Sequence, residues 1–333
     1  ATVVLAGAWA IPRFGPRTCA KTGGVLFGGG WLLASLGGTS IAPTILGIGL
    51  VAGFGAGLAY LVPITVSIRW FPEHRGLVTG IAVAGFGGGA ALVSYLGSHL
   101  MAAHGKSPFD VFALLGLAFL VLITLAGTTM REPPGSRPEP RHRLRLRTIV
   151  SDNRFRILYL AMITGLAAGF AANANLKQLY TGPDLQLGVK AVALFAVANA
   201  LGRIVWGWVA DRIRPSRAIQ LDLVLQAAVL LAALWLVDST TGYLAVACLT
   251  GFNYGGVLVI YAASVARIWG EEHVAQVYGL LFSANIVAAI SPVLAGWCCD
   301  VTGSFDPALA GLAILLIAAT MLVWRQANLL DVQ

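Results

Sequence analysis

Apolar residues run through this 333-residue chain in long blocks, and polar residues fall almost only between them. The blocks lie at about 20–40, 44–68, 77–101, 109–130, 157–180, 189–209, 218–237, 243–268, 278–299 and 307–324. A helix needs about 20 apolar residues to cross a hydrocarbon core of about 30 Å, so each block predicts one transmembrane helix. Ala1 to Pro12 is one more apolar stretch, too short to span. Only helices and closed barrels satisfy their backbone polar groups in lipid, and blocks of this length predict an all-α polytopic membrane protein.

The polar positions between the blocks give an orientation. Arg13, Arg17 and Lys21, then Arg69 and Arg75, the basic segment 131–156, then Arg212, Arg214 and Arg217, Arg267, and the tail Arg325 occupy alternate loops. The remaining loops hold only Lys106, Lys177 and Lys190. Basic residues are retained on the cytoplasmic face, so the central loop and C-terminus are expected there, in a bacterial-type inner membrane. The segment "REPPGSRPEPRHRLRLRTIVSDNRFR", 131–156, lacks an apolar period and reads as a solvated linker that can touch lipid headgroups. It divides the chain into an N-terminal half-bundle, 1–130, and a C-terminal six-helix bundle with a short tail, 157–333.

Composition supports the membrane reading: 58% hydrophobic residues, 11% charged and a mean hydropathy of +0.81, against about 25% charged in soluble domains. The +8 net charge follows from the loops, and without interleaved aromatic and basic residues no nucleic-acid partner is expected. Among the 40 glycines, Gly49, Gly53 and Gly57, and Gly85 and Gly89, have G-x-x-x-G spacing. No strand precedes them, so they predict helix contacts rather than phosphate loops. Cys19, Cys248, Cys298 and Cys299 lack metal or redox spacing and read as small hydrophobes. No metal or cofactor is expected, and no Ser/His/Asp grouping or nucleotide loop suggests an enzyme.

Two pairs of segments repeat. "RFGPR" at Arg13 parallels "RIRPSR" at Arg212, an offset of 212 − 13 = 199, and "IRWFPEHRG" parallels "ARIWGEEHVAQVYG" at 267 − 69 = 198. Nearly equal offsets predict parallel repeats. Shifting 157–180 back by 199 places its partner before residue 1, so a first helix and part of the second are expected upstream, in a parent of twelve.

A resemblance rests on "GWVADR", Gly207 to Arg212, which is similar to the G-x-x-x-D-R loop signature of the major facilitator superfamily. That likeness implies a 6+6 helix bundle, here lacking the first helix and part of the second, that works by alternating access, and a monomer is expected. It also implies a cytoplasmic lock in which Gly207, Asp211 and Arg212 take part and Asp211 pairs with arginines and a helix N-terminus. The N-half copy supplies Arg13 and Arg17 but has Ala8 and Pro12 where Gly and Asp are expected. "NALGRIVWGWVADRI", "YLVPITVSIRWFPEHRGLVTGIAVAGFG" and "YGLLFSANIVAAISPVLAGW" together resemble the oxalate/formate antiporters, relatives of the monocarboxylate porters.

Candidate chemistry centres on Arg203, eight residues and so about 12 Å from Asp211 along the helix. A cation at that depth costs at least about 2.5 kcal/mol unless it meets an anion or a wet cavity. Its fork suits a carboxylate; an interhelical ion pair is the alternative. The repeat partner of Arg203 is Val4, so duplication does not account for the charge. Asn199, four residues earlier, shares its face and either extends a polar stripe or makes an interhelical hydrogen bond. Asn285 is read as about 10 Å deep, level with Arg203. The oxalate-type pattern implies a lysine at that position, a second cation for a dianion. With asparagine there, one cation matches a monoanion. "GFNYGG", Gly251 to Gly256, either interrupts its helix and turns Asn253 and Tyr254 to a cavity or packs closely. Phe282 and Tyr60 are further lining candidates, with packing as the alternative.

The expected function is secondary or facilitative transport of small organic anions, monocarboxylates first, by a protein embedded in the bilayer. A drug or cation efflux antiporter of the same fold is an alternative; "GIAVAGFGGGAALV" has the glycines but not the proline of that class. A non-transporting sensor or assembly factor is the other.

Overall fold

The computed structural model describes residues 4–38, 40–134, 144–180 and 185–331. The Pro- and Arg-rich middle of the linker, 135–143, and the first three residues of the opening apolar stretch lie outside the described residues. In chain order the elements are α1 Val4–Phe14, α2 Pro16–Ala34, α3 Ala42–Thr44, a π-helical turn Ile45–Ala52, α4 Gly53–Trp70, α5 Arg75–His104, α6 Pro108–Thr129, α7 Leu146–Ser151 and α8 Asn153–Asn175. There follow α9 Leu185–Arg212, α10 Pro215–Leu236, α11 Thr240–Trp269, a 3-10 turn Glu271–His273, α12 Val274–Leu281, α13 Ala284–Ala288, α14 Ser291–Thr302, α15 Asp306–Arg325 and α16 Ala327–Leu330. Among the described residues, 8 helical segments are long and apolar enough to cross a membrane.

Local chemistry sets the helix ends. Pro16, Pro108 and Pro215 open α2, α6 and α10, where a missing N–H is no loss. Ser107 and Asp110 form a reciprocal capping box at the start of α6. Asp152 caps α8 by accepting from the Arg154 N–H at 2.8 Å. The start of the linker is held by Arg69, whose guanidinium meets Glu132 at 2.5 Å, and by Trp70 Nε1, which donates to the Arg131 carbonyl at 2.7 Å.

Two compact units result. The first comprises 1–72, 88–143 and 271–283, and the second 73–87, 144–270 and 284–333. The units therefore depart from the linear order of the chain: the start of α5 belongs with the second and α12 with the first. In the first unit α2 packs against α4 and α6, and α1 packs on α4 and α12. In the second, α9 lies along α11, and α10 packs on α11 and α15.

Glycine works as expected in kind but not always in place. A Cβ on Gly49, Gly85 or Gly89 would meet nothing within 4 Å. The close approach of α2 uses Gly47 and Ala52 against Gly30, and Gly55 against Phe27. The π-helical turn explains the change, because its wider winding rotates the following face by one residue and carries Gly49 and Gly53 off the contact.

Of the two readings of "GFNYGG", close packing is the one the structure shows, since α11 runs through it unbroken. Its glycines bring backbones together: a Cβ on Gly251 would meet the Phe195 carbonyl at 2.5 Å, and one on Gly256 would meet the Trp206 ring at 2.6 Å. The break lies instead after α12, where Ser283 N–H closes on the Leu280 carbonyl three residues back, at 3.1 Å. A second tightened turn, Ile290 to Val287, precedes Pro292, which has no N–H to continue the helix.

Candidate functional site: a carboxylate latch and a buried arginine

In the second unit, Gly207 sits where α9 crosses the first turns of α5. A Cβ on Gly207 would overlap the Gly76 carbonyl, and one on Gly76 the Gly207 carbonyl, so both must be glycine for the backbones to meet. One turn later Asp211 reaches the start of α5. Its Oδ1 accepts from the Gly76 N–H at 2.7 Å and its Oδ2 from the Leu77 N–H at 2.9 Å. These N–H groups lack intrahelical acceptors, and the helix end carries partial positive charge, so the carboxylate meets both needs. Arg267 of α11 closes the other side, with Nη1 donating to the Ile213 carbonyl at 2.6 Å and Nη2 to the Asp211 carbonyl at 2.7 Å. Arg75 Nη1 donates to the Ala266 carbonyl at 3.2 Å.

The other residues expected in the lock have contacts of their own. Arg212 is exposed and folds back, its guanidinium 3.7 Å from the Trp208 ring centre and its Nη1 donating to the Trp208 carbonyl at 3.0 Å. In the first unit Arg13 is exposed over Trp9, 5.0 Å from the ring centre, and Arg17 is exposed. Asp211 is thus bound by backbone N–H groups, and Arg267 joins it both through its carbonyl and by electrostatic attraction to its carboxylate.

Because α9 is unbroken from Arg203 to Asp211, the eight intervening steps correspond to about 12 Å. Arg203 is only 8% exposed. Its Nη1 donates to the Val83 carbonyl of α5, and its Nε has no hydrogen-bond partner among the described residues. Tyr254 of α11 interacts electrostatically with this guanidinium, and its ring packs between Phe170, at 5.8 Å, and Phe195, at 6.1 Å. Asn199 is buried and donates from Nδ2 to the Gly251 carbonyl at 3.3 Å, an interhelical bond. Asn253 is buried on α11 beside Tyr254. Asn285 is half-buried in α13, just past the helix break, and so does not lie on one continuous helix from Tyr278. Tyr60 and Phe282 belong to the first unit, where their rings pack 4.8 Å apart and Tyr278 joins Phe282 at 6.0 Å. The structure thus brings Arg203, Tyr254 and Asn199 together on α9 and α11, and joins Tyr60 to Phe282 as an aromatic pair.

The model of the Major Facilitator Superfamily matches residues 1–285 and, a second time, 176–328. The chain belongs to that superfamily. Among relatives, the oxalate:formate antiporter of Oxalobacter formigenes is 26% identical over 302 residues, covering 85% of this chain and 69% of its own. Monocarboxylate transporter 10 of Danio rerio is 27% identical over 325 residues, covering 92% of this chain and 64% of its own. Among solved structures, the fucose:proton symporter FucP of E. coli superposes with a TM-score of 0.76 at 14% identity, over 97% of this chain and 87% of that one. This superfamily member is an integral membrane transporter, and its family and fold are not those of enzymes.

Within the superfamily signature the sequence showed Gly207 and Asp211 but not their partners. Leu77, and Val83 as partner of Arg203, contribute backbone groups, which carry no residue-type signal, and Gly76 is one glycine among 40. Arg267 was visible only as a basic residue of a repeated loop segment.

Proposed function

We propose that this transporter carries small monocarboxylates by alternating access, in exchange or facilitated uptake, with Arg203 as the carboxylate-binding cation. The observation that carries this reading is Arg203 itself, buried at 8% exposure, bonded to one carbonyl and with Nε unpartnered. A buried guanidinium without a counter-ion is costly, and a monoanion supplies one charge and two oxygens to its fork. The names of the relatives, an oxalate:formate antiporter and a monocarboxylate transporter, support the anion class. On this reading Tyr254 lies beside the bound anion, Asn285 faces it in place of a second cation, and Asp211 locks the cytoplasmic end of α9 to α5. The basic loops support a cytoplasmic central linker and C-terminus, in a protein that works as a monomer in the bilayer of a bacterial-type inner membrane.

Counterflow in proteoliposomes tests it with formate, lactate, pyruvate and oxalate. Monocarboxylates are expected to exchange and oxalate to lag. Arg203→Ala should abolish exchange in folded protein. Arg203→Lys should lower it about 10- to 150-fold, through loss of a charge-assisted bond of about 1.5–3 kcal/mol. Wild-type rates in Arg203→Ala, or oxalate preferred over every monocarboxylate, would refute the reading.

A further inference from the structure

Outside the Arg203 site, α10 holds the one fully buried acid among the described residues, Asp222, at 0% exposure. One turn on, Gln226 donates from Nε2 to Asp222 Oδ2 at 2.9 Å. Asp222 Oδ1, Gln226 Oε1 and the hydroxyl of Tyr261 on α11 are buried and have no hydrogen-bond partner among the described residues. The Asp222 carboxyl and the Tyr261 phenol interact electrostatically.

Among the described residues, the hydrogen bond to Asp222 comes from Gln226 and none comes from a basic group. On α11, Tyr261 is the titratable side chain that faces Asp222, and Arg267 is committed to the carbonyls of Asp211 and Ile213. α15 has no titratable side chain between Asp306 and Arg325, and α8 has only Tyr159 between Arg156 and Asn175. α9 contributes Arg203, bonded to Val83, Asp211, bonded to the start of α5, and Arg212, folded over Trp208. Beyond α16, Asp331 is bound to Ser216, accepting from its N–H at 3.0 Å and from its hydroxyl at 2.6 Å. On α10 itself Arg217 is exposed.

A carboxylate in such a place lacks the counter-ion that burial of a charge requires. Oδ1 and Oε1 would then be two acceptors needing a donor. A single proton on Oδ1 creates that donor, so that acid and amide can bond in both directions, with the phenol as a third member.

We propose that Asp222, Gln226 and Tyr261 form a proton-binding site, and that proton loading and release there is coupled to carboxylate transport. The coupling rests on the anion reading above. The step is a proton transfer alone: a proton from the aqueous phase binds Asp222 Oδ1 and leaves to water on the other side.

Two measurements test the proposal. Infrared difference spectra across a pH titration, with the protein in lipid nanodiscs, should show the C=O band of a protonated carboxyl at neutral pH, lost in Asp222→Asn. In proteoliposomes made acidic outside, labelled lactate should accumulate inside above its external concentration. Asp222→Asn should bring it only to equal concentrations, and Asp222→Glu should restore the drive. Absence of the band in the wild type, indifference of lactate-transporting wild type to the gradient, or gradient-driven accumulation surviving in folded Asp222→Asn would each overturn it. A wild type that moves no monocarboxylate refutes the anion reading instead, and the infrared band then still decides whether Asp222 binds a proton.

Discussion

Replacing Asp211 by Asn keeps the size and shape of the side chain but removes its charge and one of its two acceptor positions. In the wild type both carboxylate oxygens are used, by Gly76 N–H at 2.7 Å and Leu77 N–H at 2.9 Å. An asparagine carbonyl can keep one of these bonds, while its NH2 group faces the other N–H, donor to donor. Loss of one charge-assisted bond removes about 1.5–3 kcal/mol, and loss of a negative charge at a helix start removes about 0.3–1 kcal/mol. The first turn of α5 should therefore open more readily by about 2–4 kcal/mol, or about 30- to 700-fold. Amide hydrogen exchange reads this opening directly. Peptides covering 74–80 of Asp211→Asn should exchange faster by that factor, while peptides from α15, remote from the latch, should keep wild-type rates. Exchange of 74–80 within threefold of wild type, in a folded variant, would show that the carboxylate is not what holds α5.

The remaining expectations are narrower. Gly207→Ala places a Cβ on the Gly76 carbonyl, so 74–80 should exchange as fast as in Asp211→Asn, and the double variant should add little because both break one contact. Arg267→Gln withdraws a charged donor pair from the Ile213 and Asp211 carbonyls; exchange in 213–217 should rise about tenfold or more, for about 1.5–3 kcal/mol, and unaltered exchange there would deny the clamp. Asp152→Ala removes the cap of α8 and should cost about 1 kcal/mol in denaturant or thermal unfolding at neutral pH. Burial pushes the Asp152 carboxyl up, but hydrogen bonds from the Arg154 side chain and backbone outweigh it and hold it below its ordinary 3.8. A lowered folded-state value gives stability that is full above the ordinary value and is lost as pH falls below it, so the gap between wild type and Asp152→Ala should close below about pH 4. A gap that widens in acid would contradict the assignment.

Much of the architecture was legible because span length is fixed by the bilayer: the run at 189–209 became α9, and the run at 307–324 became α15. Starts were less legible, since polar caps belong to the helix but not to the apolar run; α8 begins at Asn153 because Asp152 caps it. Gly49 and Gly53 misled because spacing assumes 3.6 residues per turn, and the π-helical turn breaks that count. Gly251 and Gly256 left a choice open: glycine in a membrane helix signals either a break or a close neighbour, and only the facing helix α9 decides which. Asp222 falls inside the run 218–237, but that its bonded neighbour among the described residues is Gln226 is a property of the packed bundle. The depth of Arg203 could be counted from Asp211, whereas its carbonyl partner Val83 could not, being 120 residues away on another helix.

The α5 side of the latch is made of peptide groups, and this changes how it responds to its surroundings. An exposed ion pair weakens with ionic strength, because mobile ions screen charges over about 8–10 Å near physiological salt. A carboxylate bonded at contact distance by two amides at a helix end is screened far less, so the hold on α5 should be nearly independent of salt. Substitutions meet the same asymmetry. On α5, bulk at Gly76 or proline in place of a donor undoes the bond, so changes there should act through side-chain volume rather than through charge.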